Sequence, residues 1–138
     1  GCERFDSEVT DAVSGEGPMR GVLTAIEHCR TDRLIVLPCD MPLMSREALD
    51  WYARELNDDP AIHGIMIRRR DGAIEPFPLA LRIEAISLLR ERLHAHQRSV
   101  QSLASSPQFA VKNAPTSLEP KLWTNINTPA DWQGFLDR

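Results

Sequence analysis

The sequence lacks a long hydrophobic run, an excess of basic residues and a set of paired cysteines. No stretch of about 18 consecutive apolar residues occurs, which excludes a transmembrane helix. The formal net charge is −4, and the one dense basic cluster, residues 68–70, is too short for the basic stripe that nucleic-acid binding requires. We therefore expect neither nucleic acid nor a membrane as a partner.

Cysteine is scarce, and its pattern indicates a reducing compartment. Cys2, Cys29 and Cys39 are widely spaced and form no C-x-x-C pair. An odd number of scattered thiols is typical of reduced cysteines, and not of a disulfide framework or a zinc site. The N-terminal residues show neither the charged nor the apolar segment of a secretory signal. The expected location is the cytoplasm.

What remains is the composition of an ordinary globular chain. Of the 138 residues, 42% are hydrophobic and 26% are charged, which is typical of one soluble domain. A chain of this length can bury enough surface to form a core without disulfides or metals. No repeat, low-complexity tract or linker divides it, so residues 1–138 are expected to form a single domain.

Alternating helix and strand patterns predict an α/β fold. Apolar residues recur at steps of three and four from Pro18 to about Cys29, which predicts a helix, and the apolar run 34–37 predicts a strand buried on both faces. Asp71-Gly72 predicts a hairpin turn. Further helices are predicted at 46–56, 83–95, 100–104 and from Pro129, and further strands at 64–69, 73–81, 109–111 and 122–126. The predicted architecture is Rossmann-like, a three-layer α/β/α arrangement with a mainly parallel sheet and one antiparallel hairpin.

Asp40 is the first candidate for chemistry, because it directly follows the predicted buried strand. Ligands of open α/β folds bind at the carboxyl ends of parallel strands, where this carboxylate could reach a Mg²⁺ that bridges substrate phosphates. Prolines at positions 38 and 42 would fix the backbone on either side of it. The alternative is that Asp40 only ends the strand and begins a turn.

Asp11 and three further polar residues are weaker candidates. Asp11 precedes a glycine turn and the helix beginning at Pro18, whose free N–H groups favour an anion, although a solvated loop carboxylate has the same pattern. Asn125 and Asn127 alternate around one residue, so they would share a strand face and either bind a substrate or satisfy the turn backbone. Arg98, like residues 68–70, could bind an anion or simply be solvated.

Four segments, in order, resemble motifs of one family. Residues 17–22 (GPMRGV) resemble its G-P-L-x-G-I/M motif, and residues 38–42 (PCDMP) its C-D-x-P motif. Residues 71–82 (DGAIEPFPLALR) resemble its D-G hairpin with P-L-x-A-L-Y-R, and residues 123–129 (WTNINTP) resemble its closing N-x-N-T-P. The chain therefore resembles the MobA-like nucleotidyltransferases, specifically the molybdenum cofactor guanylyltransferases.

The resemblance implies a Mg²⁺-dependent transfer of GMP from GTP to molybdopterin, with release of pyrophosphate. By the same resemblance, Asp40 would be the catalytic metal ligand and would also contact the nucleotide. Asp11 matches a nucleotide-contacting aspartate of the family, and Arg98, Asn125 and Asn127 would bind the pterin substrate. The C-D-M-P form at residues 39–42 favours guanylyl over cytidylyl transfer, because cytidylyl relatives more often show A-D-Q-P.

The chain departs from the family pattern at its N-terminus. The family begins with a strand and a glycine-rich L-A-G-G-x-S-x-R-M-G-x-D-K loop, and nothing before Asp11 resembles them. The expectation is a fragment, or a lineage without the loop, that alone binds GTP weakly and turns over little. A protein partner or a second copy could cover the sheet edge left by the absent strand. The alternatives are a related transferase with another phosphorylated acceptor, or a non-catalytic module that binds a nucleotide or a partner.

Overall fold

A computed structural model describes residues 7–137 of the chain. The N-terminal residues 1–6, including Cys2, lie outside the described residues. The helices are α1 (Pro18–Glu27), α2 (Arg46–Asp58), α3 (Ala85–His94) and α4 (Pro129–Leu136). The strands are β1 (Arg33–Val36), β2 (Gly64–Arg68), β3 (Ile74–Arg82) and β4 (Phe109–Asn113), and 3₁₀ turns span Val100–Ser105 and Pro120–Trp123. No helix among the described residues is long and apolar enough to cross a membrane.

The four strands form one mixed sheet in the order β1-β3-β2-β4. Strand β3 pairs antiparallel with both β1 and β2, and β2 pairs parallel with β4. Three strands therefore point the same way, as the predicted parallel sheet requires, and β3 is the antiparallel member of the predicted hairpin. Because β1, β2 and β4 run in the same direction, their carboxyl ends all lie at one edge of the sheet.

Helices cover both faces of the sheet, so the predicted three-layer α/β/α arrangement is confirmed. Side chains alternate between the faces along β3: Leu79 and Leu81 pack with α1 and α3, whereas Ala80 packs with α2. Each face has its own buried apolar cluster, and burial of these side chains away from water is the main term that holds the layers together. Ser45 caps α2 as its position predicts, since its side chain accepts from the Ala48 N–H at 3.2 Å.

Two element predictions were wrong in part. The run 34–37 forms β1, but β1 is an edge strand: its apolar side chains face both layers yet are only half-buried, and Leu37 beyond its end is 41% exposed. Burial on both faces needs a neighbouring strand on each side, and the described residues supply only β3. The strand predicted at 122–126 is absent, because Pro120–Trp123 winds into a 3₁₀ turn followed by an irregular segment.

Candidate functional site

Asp40 lies in the loop that joins β1 to α2, at the sheet edge where the carboxyl ends of the strands meet. Its Oδ1 atom is buried and has no hydrogen-bond partner among residues 7–137. The following residue, Met41, is 4% exposed and packs into the cluster beneath α2, which anchors the loop. A buried carboxylate oxygen without a partner is costly, so its retention is more typical of a ligand site than of a simple turn.

The Asp40 cleft is the recess above this carboxylate, with a volume of about 520 Å³. The backbone N–H of Ile126 donates to the backbone carbonyl of Asp40 at 2.8 Å, which joins the two sides of the cleft. The side chains and backbone that line it come from the β1–α2 loop and from the start of α4: Cys39, Asp40, Pro42, Ile126, Asn127, Thr128, Pro129 and Trp132.

The start of α4 is fixed by a reciprocal cap, as the sequence T-P-A-D predicts. The Thr128 hydroxyl accepts from the Asp131 N–H at 3.1 Å, and the Asp131 carboxylate accepts from the Thr128 N–H at 2.9 Å. The same carboxylate accepts from the Asn127 N–H at 3.1 Å. The backbone of Asn127, an exposed residue that lines the cleft, is therefore held in place.

The structure brings Asp40 and Asn127 together in one cleft, but not the other predicted site residues. Asp11 is exposed in an irregular segment before α1, and Asn125 is exposed outside the cleft lining. The shared strand face predicted for Asn125 and Asn127 is wrong, because no strand forms there.

Arg98 lies at the glycine turn before α1. Its Nη1 donates to the Gly15 carbonyl at 2.9 Å, and a Cβ built on Gly17 would lie 3.7 Å from the Arg98 Cβ. Gly15 and Gly17 have φ of +80° and +70°, in the region that glycine tolerates. Arg98 thus fixes the turn at the N-terminus of α1, a second place where a phosphate could meet free backbone N–H groups.

The arginine run at residues 68–70 forms part of the β2–β3 hairpin tip. Arg69 donates to Glu75 at 3.1 Å and also pairs with Asp71, so its charge is neutralised locally. Burial raises the pKa of Glu75 despite the opposing charge of Arg69. Arg70 donates to the Thr116 carbonyl at 2.8 Å and borders a second recess of about 300 Å³ on the β2 and β4 side of the same sheet edge.

Trp132 is the cleft residue that sequence reasoning missed. It lies on α4 beside the Asp40 cleft and is 48% exposed. Its spacing with Phe135 and Leu136 is the i, i+3, i+4 pattern of an apolar helix stripe, which predicts burial. No residue of α4 is buried in the described part of the chain, and that exposure is the feature the sequence pattern does not reveal.

The chemistry of the cleft fits a Mg²⁺ that is held partly by a substrate. No group of three or more His, Cys, Asp or Glu side chains that could hold a metal occurs among residues 7–137. An all-protein metal cage is therefore not formed by these residues. A single carboxylate oxygen without a partner suits Mg²⁺, which commonly binds through one or two carboxylates, water and substrate phosphates.

Known proteins resemble the chain in sequence and in fold. A molybdenum cofactor guanylyltransferase of Shewanella sp. (strain MR-4) is 32% identical over 118 residues, covering 85% of this chain and 57% of the relative. The enzyme of that name from Shewanella piezotolerans is 28% identical over 127 residues, covering 91% of this chain and 60% of the relative. The chain therefore spans about three-fifths of the length of these relatives.

A solved structure shares the fold. The molybdopterin-guanine dinucleotide biosynthesis protein A of Archaeoglobus fulgidus superposes with a TM-score of 0.72 at 20% identity, over 95% of this chain and 67% of that one. The family described as the MobA-like NTP transferase domain matches residues 4–110, most of the chain. The chain belongs to the MobA-like NTP transferase family.

Proposed function

We propose that the protein containing this chain is a molybdenum cofactor guanylyltransferase that transfers GMP from GTP to molybdopterin with Mg²⁺. Family membership and the names of the Shewanella relatives support a nucleotidyltransferase acting in molybdenum cofactor biosynthesis. Free thiols at Cys29 and Cys39 are compatible with the cytoplasm as its compartment.

The observation that carries the proposal is the buried, unpartnered Oδ1 of Asp40, a residue that lines the cleft. Asp40 would hold the Mg²⁺, and the ion would supply neutralisation of the charge that develops on the GTP phosphates. The Ile126 N–H bond to the Asp40 carbonyl limits movement of the loop, so the carboxylate is positioned before a substrate arrives.

The remaining residues would bind and orient the substrates. In the proposed reaction a terminal phosphate oxygen of molybdopterin forms a bond to the α-phosphorus of GTP, and the bond to pyrophosphate breaks. No protein nucleophile is needed, since phosphoryl transfer depends mainly on positioning and charge stabilisation. Asn127 offers an amide within the cleft, and Asp11 is the proposed second nucleotide contact. Arg98 and Asn125 are the proposed pterin contacts.

An assay of pyrophosphate release from GTP in the presence of molybdopterin tests the proposal. The protein containing this chain should release pyrophosphate with Mg²⁺ and lose at least about 100-fold in rate on Asp40→Asn, because removal of one group that stabilises developing charge typically costs that much. Asp50→Asn is the matched control, since Asp50 is an exposed carboxylate on α2 outside the cleft. Equal activity of the two variants would contradict the assignment of Asp40.

A further inference from the structure

The indole of Trp132 is an exposed, flat apolar surface in the same cleft as the Asp40 carboxylate. The ring is 48% exposed and lines the recess that also contains Asp40 and Asn127. A large aromatic side chain at this exposure forgoes about half of the stabilisation that full burial would give it.

Two features hold this ring at the cleft. The reciprocal cap between Thr128 and Asp131 fixes the first turn of α4, on which Trp132 lies. The ring also stacks on Phe135, with centroids 5.6 Å apart and an interplanar angle of 27°. An indole supported by an aromatic neighbour loses little side-chain entropy when it binds a flat ligand.

We propose that Trp132 stacks on the fused-ring heterocycle of a phosphorylated substrate whose phosphates lie toward Asp40. This inference rests on the proposed function, in which both substrates, a guanine nucleotide and a pterin, carry such a ring. Every base and pterin has a π-face, and stacking on an aromatic side chain contributes binding energy without requiring a particular hydrogen-bond pattern. Trp132 is therefore a substrate-binding residue outside the four motifs on which the family resemblance depends.

The chain has three tryptophans, which allows a direct test by ¹⁹F NMR of the protein containing this chain, labelled with 5-fluorotryptophan. Trp132→Phe assigns the Trp132 resonance. The resonance should then shift with saturation on addition of GTP with Mg²⁺, or of neopterin, and the ligand that moves it identifies the heterocycle. Trp51, half-buried on α2, and Trp123, 4% exposed at the second recess, are internal controls whose resonances should stay in place. A Trp132 resonance that neither ligand moves overturns the proposal.

Matched variants separate stacking from other roles of α4. Trp132→Leu should weaken binding of the ligand that shifts the Trp132 resonance about tenfold, which is in the lower part of the range for loss of one stacking partner. Trp132→Phe keeps an aromatic ring and should keep most of the affinity. Leu136→Ala changes an exposed apolar residue of the same helix that does not line the cleft, and it should have no effect. Equal losses in Trp132→Leu and Leu136→Ala, or a Trp132 resonance that responds only to protein concentration, would show a protein-docking helix and overturn the proposal.

Sodium tripolyphosphate, which has no ring, distinguishes this inference from the proposed function. If Trp132 stacks on the ring, its resonance should shift much more with the ring-bearing ligand than with tripolyphosphate. This difference should appear both in the parent and in Asp40→Asn at saturating ligand. A ring-dependent shift together with metal binding that Asp40→Asn does not weaken would support the stacking role and contradict the proposed function. Tripolyphosphate binding that depends on Asp40, with no ring-dependent shift of the Trp132 resonance, would support the proposed function and overturn the stacking role.

Discussion

The backbone N–H of Ile126 donates a hydrogen bond to the backbone carbonyl of Asp40 across 2.8 Å. The two residues are far apart in sequence, yet this bond joins the loop after β1 to the segment before α4. Asp40, Asn127 and Trp132 all line the cleft that this bond closes. The geometry of the cleft therefore depends on a contact that no local sequence pattern specifies.

Ile126→Pro should weaken Mg²⁺-dependent GTP binding at the cleft, because proline has no N–H to donate to Asp40. Ile126→Ala is the matched control: it also shortens the side chain but keeps the N–H. Calorimetric titration of the protein containing this chain with GTP and Mg²⁺ should show that GTP affinity falls several-fold or more in the proline variant and much less in the alanine variant. Equal affinities of the two variants would show that the hydrogen bond does not position the cleft.

Asp40→Ala should leave the free energy of unfolding within about 1 kcal/mol of the parent value or raise it, because the buried oxygen has no partner to lose. Ser45→Ala, in the same loop, should cost about 1 kcal/mol, since it removes the cap of α2. Urea denaturation of the two variants checks this contrast. A loss of several kcal/mol in Asp40→Ala would assign Asp40 a structural role.

Gly64→Ala should destabilise the chain by about 1–3 kcal/mol, the usual cost of overpacking. Gly64 on β2 lies opposite Phe109 on β4, and a Cβ built there would overlap the Phe109 ring. The control is Gly21→Ala on α1, where no atom lies within 4 Å of the added Cβ and helix propensity should raise stability by up to about 1 kcal/mol. Thermal or urea unfolding measures both, and destabilisation of similar size in both would contradict the packing argument.

The free energy of unfolding should fall above pH 10, because the phenol of Tyr52 is buried in its neutral form. Its side chain is fully buried, and burial raises the pKa of its phenol above the usual value of 10.0. The unfolded chain loses this proton near pH 10 while the folded chain keeps it. Stability contributed by the neutral phenol is therefore full below pH 10 and falls above it by about 1.4 kcal/mol per pH unit until the folded pKa is reached.

Urea unfolding of the parent and of Tyr52→Phe, at pH 8 and at pH 10.5 to 11, measures this slope. The variant loses the phenol oxygen that accepts from Trp123 Nε1 at 3.4 Å, so it should be about 1 kcal/mol less stable at pH 8. Above pH 10 its stability should fall less steeply than that of the parent. Because Tyr52 is the single tyrosine, tyrosinate absorbance reports its titration directly. Parallel slopes, or ionisation near pH 10 in the folded chain, would contradict the burial argument.

Local signals in the sequence predicted most of the elements. Ser45 and Thr128 are caps whose geometry follows from their position before a helix, and Asp71-Gly72 forms the turn of the predicted hairpin. These features depend on residues a few positions apart, which a sequence shows directly. The three-layer fold follows from the alternation of such elements.

The errors concern long-range arrangement. The apolar run that forms β1 is compatible with a central strand, but strand order decides burial, and β1 has only β3 beside it among the described residues. Residues 122–126 contain the apolar spacing of a strand, yet the start at Pro120 favours a 3₁₀ turn. The hydrogen bond from Arg98 to the Gly15 carbonyl was not predicted either, because it depends on how α1 and α3 pack.

The site was predicted only in part for the same reason. The position of Asp40 at a strand end followed from the sequence, and Asn127 does line its cleft. The exposure of Trp132 could not be inferred, because its helical spacing is the same whether α4 is covered or open. The roles of Asp11, Arg98 and Asn125 stay predictions.

Binding of Mn²⁺, as a substitute for Mg²⁺, to the protein containing this chain in the presence of GTP is the most direct test of the claim that Asp40 holds a divalent ion. Electron paramagnetic resonance of free Mn²⁺ should show a bound ion in the parent protein and in its Asp50→Asn variant, with affinity increased by GTP. Asp40→Asn should weaken that binding at least about tenfold, since it removes the one charged side chain among the described residues that line the cleft. Equal Mn²⁺ affinities in the parent and Asp40→Asn would contradict the account.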